Sequence, residues 1–91
     1  MSIKIKEGFV LREVGPIHMA VPFGALTKEI SGMVALSETG YFLWQQIEKG
    51  VDTEPALVKA LLAEYDVDEE TAKGDVAYFI NGLREQKVLA E

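Results

Sequence analysis

Val34-Ala35-Leu36-Ser37-Glu38-Thr39-Gly40-Tyr41-Phe42-Leu43-Trp44 is the stretch in which the apolar period of this chain changes. Val34 and Leu36 are two apart, as on one face of a strand. Leu43, Trp44 and Ile47 are spaced for one face of a helix. Ser37 stands at the junction, where its hydroxyl oxygen can accept from an orphan N–H of the first helical turn. Glu38 follows, and a negative charge there complements the helix dipole. Upstream the chain reads as strands and downstream as helices.

Working back from the junction, Phe9-Val10-Leu11-Arg12-Glu13-Val14 is rich in β-formers and predicts a first strand. Ile17-His18-Met19-Ala20-Val21 predicts a second, with Ile17, Met19 and Val21 on one face and His18 and Ala20 on the other. Gly15-Pro16 between them predicts a hairpin whose turn type stays open, because proline does not suit the commonest two-residue turns. Pro22 ends the second strand. Phe23 to Glu29 is a connection pivoting on Gly24, and residues 1–7 read as a loose lead-in. Ile30 to Leu36 predicts a third strand, with Gly32 marking a bulge or a close backbone approach.

Working forward, the spacing predicts helices over Glu38–Lys49, Glu54–Tyr65 and Glu69–Gln86. Gly50 supplies a left-handed stop for the first. Thr53 or Glu54 caps the second, with Pro55 in its first turn. Asp68 caps the third. Leu57, Leu61, Leu62 and Tyr65 form the apolar stripe of the second helix. Ala72, Val76, Phe79, Ile80 and Leu83 form that of the third, and Leu89 closes the domain. Three strands followed by three helices mean an α+β domain, with helices covering one face of a small, mostly antiparallel sheet.

At 91 residues the chain is one small domain, and 48% hydrophobic content with 26% charge argues for a folded core rather than disorder. Cysteine is absent, which excludes disulfides and thiolate metal sites and makes a cytoplasmic home the simple expectation. No signal peptide or membrane span is read in the first residues. Residues 1–36 carry four bases against three acids, and residues 37–91 five against twelve. An acidic helical half repels phosphate backbones, so no nucleic acid and no membrane is expected as partner.

Catalysis is not expected. His18 is the single histidine and has no local carboxylate or cysteine cluster, so it reads as a surface or edge residue. Asp66, Asp68, Glu69, Glu70 and Asp75 lack the ligand pattern of a calcium loop and read as capping plus a solvated face. The glycines form neither GxGxxG nor a phosphate loop. No metal and no cofactor is therefore expected. Trp44 reads as core, with Tyr41 at the surface. Gly74 and Gly82 lie inside the third helix, each at a cost of about 1 kcal/mol relative to alanine. They mark either close packing or simple tolerance, or a smooth lane that another backbone can approach.

Leu36-Ser37-Glu38-Thr39-Gly40-Tyr41-Phe42-Leu43-Trp44, Gly50-Val51-Asp52-Thr53, Leu57-Val58, Leu62-Ala63-Glu64-Tyr65 and Asp75-Val76-Ala77-Tyr78-Phe79-Ile80-Asn81-Gly82-Leu83 together resemble the PqqD-like family. The order and spacing of the pieces carry the resemblance, from Phe9 to Leu89. It implies a winged helix-turn-helix-like fold. It also implies a non-catalytic peptide chaperone that binds the leader segment of a ribosomally made precursor peptide. The leader adds as a strand and is presented to a modifying enzyme, often a radical S-adenosylmethionine enzyme.

On that resemblance the groove is expected between Ile30–Leu36 and the third helix. Ile30, Met33, Val34 and Ala35 stand on the strand side, and Val76, Phe79, Ile80 and Leu83 on the helix side. Two family-typical residues are replaced: Ser37 stands for an Asn, and Lys87 for a Gly before the final apolar pair. The N-terminal strands lack the Pro-Glu-Gly stretch associated with pyrroloquinoline quinone pathways, so a different peptide product is expected. A DNA-binding winged helix is the first rival. It predicts a basic recognition face, yet the third helix mixes Lys73, Arg84 and Lys87 with Glu69, Glu70, Asp75 and Glu85. A docking subunit of a larger enzyme is the other rival, and a small enzyme or cofactor carrier the most remote.

Overall fold

The computed structural model describes residues 2–30 and 32–90; Met1, Ser31 and Glu91 lie outside the described residues. Three strands, β1 (Phe9–Val14), β2 (Ile17–Pro22) and β3 (Val34–Leu36), precede three helices, α1 (Glu38–Glu48), α2 (Glu54–Glu64) and α3 (Glu69–Glu85). The strands form one antiparallel sheet in the order β1-β2-β3, with Leu11 opposite Ala20 and Ala20 opposite Val34. The α+β architecture is thus as expected from the order of elements.

The β1–β2 hairpin closes through Gly15-Pro16, with Val14 opposite Ile17. Gly15 has φ +60° and Pro16 does not share that sign. This φ pattern belongs to a type II′ turn, which takes glycine first and asks no N–H of the second residue.

Strand parity puts Phe9, Leu11, Ala20, Val34 and Leu36 on the sheet face that meets the helices. They enclose, with Leu43, Trp44, Leu57, Leu61, Val76, Ile80 and Leu83, a continuous apolar core. Trp44 is wholly buried at its centre, edge-on to Phe9 with ring centroids 5.1 Å apart. His18 lies on the same face, half-buried and tilted against the half-buried ring of Tyr41 at 4.6 Å. Its Nδ1 is 3.3 Å from Glu13 Oε2 but lacks the alignment of a hydrogen bond.

Local chemistry sets the helix ends. The backbone N–H groups of Gly40, Ala56 and Thr71 donate to Ser37 Oγ, Thr53 Oγ1 and Asp68 Oδ1, so each helix is capped by the residue before it. At the C-terminus of α1, Gly50 adopts φ +108° while Gly50 N–H reaches the Ile47 carbonyl and Val51 N–H that of Gln46. This is a Schellman stop. The same pair of bonds ends α3, from Lys87 N–H to Arg84 and from Val88 N–H to Leu83. Here the left-handed position, φ +61°, is held by Lys87, where a side chain is strained.

Two expectations need correction. The third strand is shorter than Ile30–Leu36: Ile30 closes the turn after a 3-10 helix, Gly24–Lys28, through its N–H to Leu26, and its side chain is buried in the core. Gly32 has φ +79°, so it turns the chain rather than bulging a ladder. The N-terminal residues are not a loose lead-in. Ile5 bridges Leu89, while Ile3 N–H donates to Asp52, Lys6 N–H to Val88 and Ala90 N–H to Lys4. The two ends of the chain are clasped together over the core. No helix among the described residues is long and apolar enough to cross a membrane.

Candidate functional site

Because β3 is last in the sheet order, one of its edges has no partner strand among the described residues. The N–H and C=O groups along such an edge are a template for another extended chain. Beside β3 runs a groove of about 390 Å³, bounded on one side by Val34, Ala35, Leu36 and Ser37. The first turns of α1 contribute Thr39, Gly40 and Leu43. The other wall is α3, through Asp75, Tyr78, Phe79, Gly82, Leu83 and Gln86.

Helical geometry explains the α3 set. At about 100° per residue, positions 75, 79, 82 and 86 fall within roughly 60° of one another. That stripe is about a quarter turn from the face of Ala72, Val76 and Ile80, which is buried in the core. One face of α3 therefore holds the fold together and its neighbour lines the groove. Phe79 spans the two, half-buried and packed on the core while lining the groove.

Of the residues expected at the site, Val34, Ala35, Phe79 and Leu83 line the groove. Ile30, Val76 and Ile80 are 8%, 1% and 1% exposed and sit in the core instead. Met33 is 60% exposed just before β3 and is not part of the lining. Ser37, Thr39, Gly40, Leu43, Asp75, Tyr78 and Gln86 line the groove without being among the expected site residues, while Leu36 belongs to the strand expected there and Gly82 to the lane open to another backbone. The signal for Asp75, Gly82 and Gln86 was available as the 75-79-82-86 stripe, which has only one apolar member and so does not stand out by hydropathy.

The groove is apolar at its base and polar at its lip. Tyr78, 84% exposed, and Asp75 stand on the solvent side of α3, and Asp75 is the one charged residue among the described lining. Among the described residues, no basic side chain lines the groove. A larger hollow, about 950 Å³, opens near Ile3, Pro55, Arg84 and Leu89, but none of the sheet strands lines it. Among the described residues, no group of three or more His, Asp or Glu side chains is placed to hold a metal ion.

An extended chain laid along β3 would hydrogen-bond through its backbone and send alternate side chains into the groove. Such a surface defines a class: a small α+β, winged-helix-like module with a free strand edge beside a helix-walled cleft. The chain belongs to the PqqD family, coenzyme PQQ synthesis protein D, whose family model matches residues 23–89. A solved structure, TbiB1 in complex with the TbiA(beta) leader peptide, is similar, with a TM-score of 0.74 and 23% sequence identity. That match covers 96% of this chain and 94% of the other, and it is a likeness of fold. No curated protein gives a significant sequence match.

Proposed function

We propose that this protein is a non-catalytic recognition module for the leader segment of a ribosomally made precursor peptide. The leader adds as a strand beside β3 and is presented to a modifying enzyme, of the radical S-adenosylmethionine class. The observation that carries the reading is the uncovered edge of β3 lying directly on a groove of about 390 Å³. Backbone bonding supplies affinity that depends little on sequence, and the groove selects alternate side chains. Membership of the PqqD family supports the same reading, as does a fold shared with a protein solved with a leader peptide. The absence of the Pro-Glu-Gly stretch from the N-terminal strands favours a product other than pyrroloquinoline quinone.

In this proposal Val34, Ala35, Phe79 and Leu83 contact the peptide. Ile30, Val76 and Ile80 act through the core, and Met33 through the approach to β3. An affinity near micromolar, about −8 kcal/mol, suffices for a handover between enzymes. The test is an amide NMR titration with synthetic peptides covering the N-terminal halves of short reading frames beside the gene. Shifts concentrated in residues 34–40 and 75–86 are expected for the cognate leader. Shifts confined to other surfaces, and appearing only with an adjacent enzyme, would instead indicate a docking subunit.

A further inference from the structure

Gly82 occupies the middle of the groove-facing stripe of α3, between Phe79 and Gln86. Glycine is among the least favourable residues inside a helix, and two ordinary reasons for keeping it are missing here. Its φ is not in the left-handed region, so the backbone does not require it. A Cβ built on it would meet no other atom within 4 Å, so packing within the chain does not require it either. Gly40 differs, since a Cβ there would press on Phe79. What the missing side chain at position 82 does provide is depth in the groove.

The strand parity of β3 says what reaches that depth. Val34 and Leu36 face inward and Ala35 outward, and neighbours across a sheet share a face. A peptide paired with β3 therefore turns two residues, two positions apart, toward α3. The walls they meet are Leu36 and Phe79, with the edge of Leu83 between them and the core. Resting on the leader-binding reading above, we propose that Gly82 is a specificity-determining residue. It seats a large apolar side chain, aromatic or branched aliphatic, from one of the two inward positions of the bound peptide. Gly74 is the internal control: it is exposed on the same helix, equally open at its Cβ, and outside the groove.

The probe is a phage-displayed library of random twelve-residue peptides, panned in parallel on the wild type, Gly82→Ala and Gly74→Ala, with a melting curve for each protein. The wild type and Gly74→Ala are expected to select the same motif, two large apolar residues two positions apart. Gly82→Ala is expected to melt no lower than the wild type. It should shift one of those positions to Gly, Ala or Ser and bind the wild-type peptide at least fivefold more weakly. An unchanged motif and affinity in Gly82→Ala would overturn the assignment, as would a lower melting temperature, which would show that the fold itself needs the glycine. If the wild type selects no peptide, or its peptides leave the β3 and α3 resonances unmoved, the leader-binding reading fails and takes this inference with it. That failure shows in the wild type alone, so it is distinct from a failure at Gly82.

Discussion

Gly40 and Phe79 fit together at the end of the groove: a Cβ on Gly40 would stand 3.2 Å from Cε1 and 3.3 Å from Cδ1 of the Phe79 ring. The first turn of α1 thus approaches α3 as closely as an unsubstituted backbone permits. Phe79 is left with one side on α1 and the other open to the groove. The ring links the helix that follows β3 to the helix that faces it.

Phe79→Ala is therefore expected to weaken peptide binding by tenfold or more, about 1.4 kcal/mol, since a half-buried aromatic anchor is lost from the groove wall. The half-buried ring contributes less to folding than a core residue, so the variant should remain folded. Calorimetric titration beside a urea unfolding curve separates the two effects. A folded variant with unchanged affinity would remove Phe79 from the site.

Gly40→Ala sets two effects against each other. Alanine gains about 1 kcal/mol in helix propensity, while the overlap with Phe79 and with Ser37 Oγ, also 3.2 Å away, costs about 1–3 kcal/mol. A net loss of about 1 kcal/mol is expected, together with weaker peptide binding as the Phe79 ring is displaced toward the groove. Urea unfolding and the same titration measure both.

Lys87→Gly should stabilise the protein by about 0.5–1 kcal/mol. Lys87 holds φ +61° in the stop of α3. A left-handed backbone costs a side-chain-bearing residue about 1–2 kcal/mol, part of which is returned by the greater freedom of glycine in the unfolded chain. The unfolding midpoint should rise with no change in the slope against urea. Position 87 does not line the groove, so affinity should be unaffected.

A chain beginning at Glu7 should lose about 2 kcal/mol of stability. It lacks the backbone bonds from Ile3 to Asp52, from Lys6 to Val88 and from Ala90 to Lys4, and the half-buried side chains of Ile3 and Ile5. The lost backbone bonds and the apolar burial of two isoleucines are offset in part by the freedom the segment no longer gives up. Hydrogen exchange at Ala90, whose N–H loses its Lys4 acceptor, should accelerate in step.

The cap of α3 is pH-dependent. The Thr71 backbone N–H, and then its hydroxyl, hold the Asp68 carboxyl below its ordinary 3.8. A depressed folded-state value means that the stabilisation is fully present above the unfolded value and is lost as pH falls through the folded one. Asp68→Asn keeps a good neutral cap and removes that titration. Between about pH 5 and pH 2 the wild type should lose more stability than the variant, read by urea unfolding at each pH.

The sequence by itself determined whatever depends on groups a few residues apart. Ser37 and Asp68 cap their helices, the cap of α2 is narrowed to Thr53 or Glu54, and Gly50 stops α1, because the bonds involved close within a turn of the chain. The order of strands and helices followed from the change of apolar period around Ser37. The resemblance to the PqqD-like family could be read from the order and spacing of short segments.

Tertiary structure alone decided the rest, because it turns on contacts between distant parts of the chain. Ile30 alternates correctly with Val34 and Leu36, yet the 3-10 helix before it carries it into the core. Ile5 and Leu89 give no local sign that they will pair. Val76, Phe79 and Ile80 are equivalent by hydropathy. Only the position of β3 beside α3 separates Phe79, on the groove, from the two that the core encloses. A helix has one direction of periodicity but several neighbours, and which neighbour claims which face is set by packing rather than by local sequence.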